Sequence, residues 1–131
     1  MTSRSFAQTP ESVPAARAYV VRSLPQLDDE VRQVAALLVS ELATNALLYG
    51  ESAFDIAVNY STSDHRARVE VRNAGRGRPT MQHPASTAEH GRGLQLVAAL
   101  SASWGVESAP HGGSKTVWFE VAADVASPRA S

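Results

Sequence analysis

The sequence predicts an α+β domain, a two-layer α/β sandwich in which helices pack on one face of a mixed, mostly antiparallel sheet. An apolar repeat with helical spacing extends from about residue 27 to residue 49. Residues 54–60 and 66–72 alternate between apolar and polar side chains, and residues 115–121 do so again near the end of the chain. Helices with one apolar face would cover the apolar side of such a sheet, which gives the two layers.

Length and composition limit the classes of protein to consider. A chain of 131 residues predicts one domain, which we assign to residues 1–122, followed by a disordered tail over 123–131. The net charge of −1 favours neither nucleic acid nor an anionic membrane as a direct partner. The absence of cysteine excludes disulfides, thiolate metal sites and catalytic thiols. No apolar run resembles a signal peptide or approaches the roughly 20 residues of a membrane span, so we expect a cytoplasmic protein.

The first half of the chain predicts an edge strand and two helices. Residues 3–8 are short enough to form an edge strand. Ser12 and Pro14 indicate a helix start, because proline is tolerated in a first turn, and Pro25 ends that helix. The second helix begins after the acidic residues 28–30, which suit its dipole, and Gly50 is a natural end.

The second half predicts strands around a long loop. Residues 54–60 and 66–72 form a hairpin with a polar turn at 61–65, and the next inward position after that hairpin is Asn73. Glycine, proline and polar residues make 74–90 a mobile loop by composition. A third helix then begins at residue 91, and a last hairpin places Val117, Phe119 and Val121 inward.

Polar side chains interrupt the apolar face of the second helix. Glu41 and Asn45 lie one turn apart on that face, together with apolar positions at the same spacing: Val31, Val34, Leu38 and Leu48. Burying an unpaired amide costs a few kcal/mol, and burying an unpaired carboxylate costs more. A ligand that meets both groups explains the pattern, whereas a core acid paired with an arginine remains an alternative for Glu41.

Two glycine motifs point to a ligand with phosphates. Asn73 is followed by Gly75 and Gly77, and Gly91 and Gly93 precede a helix whose free amides and positive dipole end would bind phosphate. Each motif alone is also explained by a turn or a flexible helix entry. Their occurrence in this order, after Glu41 and Asn45, is harder to explain by structure alone.

Other candidate groups have simpler explanations. The arginines concentrated between residues 66 and 92 would face an anion or simply form a solvated surface: Arg66, Arg68, Arg72, Arg76, Arg78 and Arg92. His83 and His90 lack the partners of a usual metal site. Trp104 and Trp118 are expected to pack on the sheet.

Three motifs together resemble a known superfamily. Glu-x-x-x-Asn-Ala at 41–46, x-x-Gly-x-Gly at 73–77 and Gly-Arg-Gly-Leu-x-Leu-Val at 91–97 resemble the N, G1 and G2 boxes of the GHKL ATPases, which have the Bergerat fold. The opening Ser-Val-Pro-Ala-Ala-Arg and the closing Gly-Gly-Ser-Lys-Thr-Val-Trp-Phe-Glu look most like the anti-sigma-factor serine kinase branch. The resemblance covers roughly residues 5–121.

The resemblance implies ATP and Mg²⁺ as cofactors and a role for each motif residue. Asn45 would coordinate the Mg²⁺ that bridges the ATP phosphates, and Glu41 would be the general base for the hydroxyl of a partner's serine. Gly75 and Gly77 would allow close approach of the adenine, and residues 78–90 would form an ATP lid.

The remaining nucleotide contacts are also implied by the resemblance. Backbone amides from the second glycine motif would meet the phosphates, and a residue of the last strand would line the nucleotide pocket. These residues are Gly91, Arg92, Gly93, Leu94 and Thr116.

The resemblance also implies protein partners and one point of departure. An ATP-dependent protein serine/threonine kinase of this branch would phosphorylate an anti-sigma antagonist and sequester a sigma factor, and a homodimer is expected. Asn73 replaces the usual aspartate that accepts a hydrogen bond from the adenine amino group, a loss on the order of 1 kcal/mol. The alternative is therefore a non-catalytic interaction module with weakened or lost ATP binding.

Overall fold

Five strands and two helices make up the regular structure in the described part of the computed structural model, which comprises residues 1–74, 97, 100–109 and 113–123. In chain order they are β1 (Thr2–Phe6), α1 (Ser12–Ser23), α2 (Asp29–Tyr49), β2 (Phe54–Ser61), β3 (Arg66–Ala74), β4 (Ser103–Ser108) and β5 (Ser114–Ala122). The sheet has the order β1-β2-β3-β5-β4. The predicted α+β fold is confirmed, and every strand pair among these five is antiparallel rather than mixed.

The central hairpin follows the sequence alternation. β2 and β3 pair from Phe54 opposite Asn73 to Ser61 opposite Arg66. The turn between them uses His65 at a φ of 53°, a left-handed conformation that few non-glycine residues adopt. Because side chains alternate across a strand, one face of this hairpin is buried under the helices and the other carries the charged residues.

The predicted edge strand is present. β1 pairs with β2, and its last residue, Phe6, lies opposite Phe54. The two rings stack with centroids 5.6 Å apart, so the edge strand is held by aromatic packing as well as by backbone hydrogen bonds.

Helix α1 begins and ends where the sequence indicates. The Ser12 hydroxyl donates a 2.6 Å hydrogen bond to the carbonyl of Ala7, and Pro14 lies in the first turn. The helix ends at Ser23, and the capping residue Leu24 immediately precedes Pro25, whose ring disfavours helical geometry there. Its fully buried residues Ala16 and Val20 belong to the core.

Helix α2 is the central element of the core. Its first turn carries Asp29 and Glu30, and Gly50 follows its last residue with its amide bonded to the carbonyl of Ala46 at 2.9 Å. By length and composition alone this helix could cross a membrane, contrary to the expectation from the sequence. However, 56% of its most apolar window is buried inside the fold, as in the core helix of a domain.

Two boundaries complete the described fold. Val97 and Leu100 have helical backbone, and the amide of Ser101 donates to the carbonyl of Val97 at 3.0 Å, as expected of the predicted third helix. The remaining residues of that helix, 91–96 and 98–99, lie outside the described residues.

Ala123, assigned from sequence to the tail, is 3% exposed, and its amide donates a hydrogen bond to the carbonyl of His65 at 2.7 Å. The tail residues 124–131 lie outside the described residues.

Candidate functional site

Two predicted site residues from distant parts of the chain meet at one cavity. Asn45 on α2 and Asn73 near the end of β3 are each 8% exposed. Both line a cavity between α2 and the sheet, with Leu42, Ala46, Val71, Lys115 and Val117. We call the side chains of Asn45, Asn73 and Lys115 the site floor. Its formation requires the helical turn around residue 45 to cross the ends of β3 and β5.

The two amides of the site floor have no hydrogen-bond partner within the part of the chain that the structure describes. Most buried polar side chains in folded proteins are satisfied, and an unsatisfied one costs about 1–3 kcal/mol. The cavity volume is about 10 Å³, close to the space of one water. The cavity thus offers two buried amides to a ligand.

The end of α2 fixes the position of Asn73. A Cβ placed on Gly50 would lie 2.7 Å from Nδ2 of Asn73 and 2.6 Å from the carbonyl oxygen of Ala46. Only glycine leaves room for this approach. Gln8 adds a restraint, because its Nε2 donates to the carbonyl oxygens of Gly50 at 2.6 Å and Leu47 at 3.1 Å. These bonds satisfy carbonyls that the end of a helix leaves free.

Lys115 is a site residue that we did not predict from sequence. It is 7% exposed, and desolvation by burial lowers the pKa of its ammonium below the ordinary value of 10.5. Two sequence signals were available. Alternation through Val117 and Phe119 places position 115 inward, and this residue is the only lysine in the chain.

Thr116 does not line this cavity, and its implied place in a nucleotide pocket stays a prediction. It alternates with Lys115 and therefore lies on the opposite, helix-free face of the sheet, where it pairs with Arg72. On that face it borders a wider concavity of about 480 Å³ with Asp55 and Glu70. Lys115, its neighbour in sequence, lines the cavity between α2 and the sheet.

Glu41 is less buried than the helical spacing predicts. It has intermediate exposure, and Leu48, placed on the same buried face, is 50% exposed. The buried face of α2 is rotated about the helix axis relative to the predicted face. Its centre runs along Val31, Ala35 and Leu42. Because α2 packs against both α1 and the sheet, its apolar surface is wide, and spacing alone does not fix its centre.

The glycine motifs lie outside the described residues. This applies to Gly75, Gly77, Gly91, Arg92, Gly93 and Leu94, to the predicted lid at 78–90 and to both of its histidines. Among the residues that are described, no group of three or more His, Asp or Glu side chains could hold a metal ion. A Mg²⁺ ion at Asn45 would therefore need further oxygens from a ligand or from residues outside the described ranges.

The strand arginines form a paired surface on the helix-free face. Arg68 donates to Glu70 at 2.8 Å and to Glu120 at 3.2 Å, and its guanidinium lies 4.0 Å from the ring centroid of Trp118. Arg72 pairs with Asp55 at 3.3 Å. These contacts favour a solvated, ion-paired face for these arginines over an anion site.

Charge pairing on this face also affects the pKa of Glu120. Burial of the carboxylate raises this pKa. The hydrogen bond from Ser103, the hydrogen bond from Arg68 and the positive charge of Arg68 lower it by more, so the pKa of Glu120 lies below its ordinary value of 4.5. Pairs at this exposure contribute little individually to stability.

A family comparison identifies the domain. A family model described as a histidine kinase-like ATPase domain matches residues 6–120, which is most of the chain. The chain belongs to this family. The family is one of ATPase domains, which implies a nucleotide ligand.

Solved structures support the same assignment for this ATPase domain. It is similar to the histidine kinase domain of a blue-light activated histidine kinase from Erythrobacter litoralis EL346, with 29% identity, a TM-score of 0.53 and coverage of 72% of this chain and 45% of that one. It thus spans less than half of that relative. The catalytic domain of histidine kinase ThkA has 13% identity and a TM-score of 0.54, over 96% of this chain and 100% of that one.

A third similar structure is Acinetobacter baumannii histidine kinase AdeS, with 13% identity, a TM-score of 0.53 and coverage of 94% of this chain and 68% of that one. Identities of 13% show a shared fold alone. No curated protein matches the chain.

The site floor fits a nucleotide with its metal. A neutral amide oxygen suits Mg²⁺, which prefers oxygen ligands, and Asn45 offers one without a partner within the described residues. Asn73 offers a second amide to a polar base edge. A bound ligand would satisfy two groups whose burial is otherwise unfavourable.

Proposed function

We propose that this ATPase domain binds ATP with Mg²⁺ on the site floor and transfers a phosphoryl group to a serine of a protein partner, as anti-sigma-factor serine kinases do. The observation that carries the proposal is the pair of buried amides, Asn45 and Asn73, which line one cavity and have no hydrogen-bond partner among the described residues. The motifs at 41–46, 73–77 and 91–97 support the same site.

Asn45 would hold Mg²⁺ through its side-chain oxygen, together with phosphate oxygens of the nucleotide. When bound, the metal neutralises charge on the phosphates. Asn73 would meet the edge of the base, and backbone amides at 91–94 would meet the phosphates.

Glu41 would accept the proton of the serine hydroxyl. It lies one helical turn before Asn45, and its intermediate exposure suits a base that must reach a hydroxyl on another protein. A carboxylate sealed in the core could not reach such a substrate. The rotation of the buried face of α2 therefore favours this role.

The partners would be an anti-sigma antagonist that carries the serine and a sigma factor that the domain sequesters. Such a regulator would act in the cytoplasm, and a homodimer is expected from the resemblance. These partners are supported by the branch-like motifs near residues 12–17 and 112–120.

The second candidate is a non-catalytic interaction module that has kept the fold and a partner-binding surface. Asn73 favours it, because the charged hydrogen-bond acceptor expected at this position is absent. Retention of Glu41 and Asn45 favours the kinase, because a decayed site would tend to lose its base and its metal ligand as well.

A phosphotransfer assay separates the two. Wild type, Glu41→Ala and Asn73→Asp are incubated with ATP, Mg²⁺ and a candidate antagonist, and phosphoserine is followed by mass spectrometry. We expect wild type to transfer phosphate and Glu41→Ala to lose at least about a hundredfold in rate while still binding nucleotide. The matched control is Glu107→Ala, which removes an exposed carboxylate on β4. A silent wild type beside an active Asn73→Asp would establish the module instead.

A further inference from the structure

Two exposed leucines lie on either side of Glu41 along α2. Leu37 is 41% exposed and Leu48 is 50% exposed, whereas most apolar residues of this helix are buried. A single exposed leucine is ordinary on a protein surface and needs no function. These two lie on the same helix as the proposed general base, one before it and one after it.

The spacing places both leucines on one side of the helix. An α-helix turns by about 100° per residue, so Leu37, Thr44 and Leu48 lie within about 40° of each other around its axis. We call these three residues the leucine stripe. Thr44 has intermediate exposure, so no position of the stripe is buried. Glu41 lies at the edge of the stripe, about 20° from Leu48 around the axis.

The leucine stripe runs between α1 and the site floor. On one side, Nε of Arg17 on α1 donates to Oγ of Ser40 at 2.8 Å, so α1 borders the stripe there. On the other side, Asn45 lies about 40° beyond Glu41 around the axis and lines the cavity of the site floor. Glu41 therefore separates an exposed apolar surface from the side chain proposed to hold Mg²⁺.

The proposed reaction determines what must lie on this surface. In the transfer, the bond from the γ-phosphorus to the ADP oxygen breaks, a bond from that phosphorus to the serine oxygen forms, and Glu41 takes the hydroxyl proton. The base must come within about 3 Å of that hydroxyl. The segment of the partner protein that carries the serine therefore crosses α2 at Glu41 and covers the surface beside it.

The helix dimensions specify where that segment meets the leucines. At about 1.5 Å of rise per residue, Leu37 lies about 6 Å before Glu41 along the axis, and Leu48 lies about 10 Å after it. An extended chain advances about 3.3 Å per residue, so these distances correspond to about two residues on one side of the serine and about three on the other.

We propose that the leucine stripe recognises the protein substrate by binding apolar side chains on both sides of the serine that receives the phosphoryl group. This inference rests on the proposed kinase function and specifies its substrate. One apolar residue, about two positions from the serine, packs on Leu37, and another, about three positions away on the other side, packs on Leu48. Such packing removes apolar surface from water on both proteins, whereas polar neighbours of the serine gain nothing there.

The test uses serine peptides with a polar background, in which leucine is placed singly or in pairs at the positions on either side of the serine. Phosphorylation by the wild-type domain with ATP and Mg²⁺ gives kcat/KM for each peptide. We expect one leucine at a preferred position to raise kcat/KM about fivefold, and a pair on opposite sides to raise it about twentyfold, mainly through a lower KM. This comparison uses wild type alone, so it does not depend on whether a variant folds.

Variants of the stripe then assign each preference to its leucine. Leu37→Gln should remove the preference for leucine nearer the serine, and Leu48→Gln should remove the preference on the other side. A double variant with methionine at both positions should retain both preferences, because methionine is apolar and of similar volume. The matched control is Leu100→Gln, which removes a leucine of 43% exposure outside α2 and should leave the selectivity unchanged.

The outcomes separate this inference from the proposed function. Phosphorylation without a preference for leucine, or a preference that survives both glutamine substitutions together, overturns the inference and leaves the kinase function intact. A change from dimer to monomer in that double variant, measured by sedimentation, also overturns it, because a second copy of this chain would then cover the stripe. Saturable ATP binding without phosphorylation of any peptide or candidate antagonist overturns the proposed kinase function, and the inference falls with it.

Discussion

Gly50→Ala tests whether the end of α2 positions Asn73 by direct contact. The φ and ψ of Gly50 are −80° and 167°, which any residue can adopt, so the substitution introduces no backbone strain. Its new methyl group would instead lie 2.6 Å from the Ala46 carbonyl and 2.7 Å from Nδ2 of Asn73. The carbonyl belongs to the helix backbone and cannot rotate away, so the helix end or Asn73 must shift.

The magnitude follows from two opposing contributions. Overpacking at a tight position costs about 1–3 kcal/mol. Replacing glycine by alanine reduces the conformational entropy of the unfolded chain, which stabilises the folded state by about 0.4–1 kcal/mol. The net loss in the free energy of unfolding is about 1–2 kcal/mol, which corresponds to a decrease in Tm of about 4–8 °C for a domain of this size.

Thermal and urea unfolding followed by circular dichroism measure the effect. The matched control is Gly113→Ala, because a Cβ at Gly113 would have no atom of the described residues within 4 Å. It should leave stability unchanged or raise it by up to about 1 kcal/mol. Under conditions where Gly50→Ala is folded, its nucleotide affinity should also fall, since Asn73 is displaced. If Gly50→Ala melts at or above the wild-type temperature, the close approach between Gly50 and Asn73 is wrong.

Three further substitutions test charge and packing. Lys115→Met should be more stable than wild type at neutral pH. Because the pKa of Lys115 is lowered in the folded state, wild-type stability should rise as the pH approaches 10.5, and equilibrium unfolding should show that the variant lacks this rise. Glu120→Gln should lose less stability than wild type in acid. The lowered pKa of Glu120 stabilises the folded state above pH 4.5, and this contribution is lost as the pH falls through the folded-state pKa. Identical acid unfolding titrations of the two proteins would contradict this. Gly105→Ala would place a methyl group 2.8–2.9 Å from the Trp118 ring. The free energy of unfolding should therefore fall by about 1 kcal/mol, and the tryptophan fluorescence should change. Unchanged emission would refute the contact.

Local signals predicted the elements well. Ser12, Pro14, Pro25 and Gly50 mark the ends of α1 and α2, and each acts through its own backbone chemistry, so no tertiary information was needed. The β2–β3 hairpin was equally clear, because its alternation is unbroken on both sides of a polar turn. The orientation of α2 was not predictable in the same way. Its apolar surface is broad, and only packing against α1 and the sheet decides that Leu48 is exposed.

The candidate site was predicted in part. Asn45 and Asn73 were identified as polar groups on apolar faces, and the structure brings them to one cavity across 28 positions of sequence. Lys115 was missed although strand alternation places it inward, because the resemblance directed attention to Thr116 instead. Its significance depends on the register of β5 against β3, which neither strand specifies alone.

The central claim is that a purine nucleotide and its metal bind on the floor formed by Asn45, Asn73 and Lys115. A crystal structure of the domain grown with ATP and Mg²⁺ tests it most directly. We expect nucleotide density against that floor, with the base beside Asn73 and Lys115 and the metal beside Asn45. Ordered nucleotide elsewhere on the domain, or an empty floor at a nucleotide concentration that saturates binding in solution, would contradict the claim.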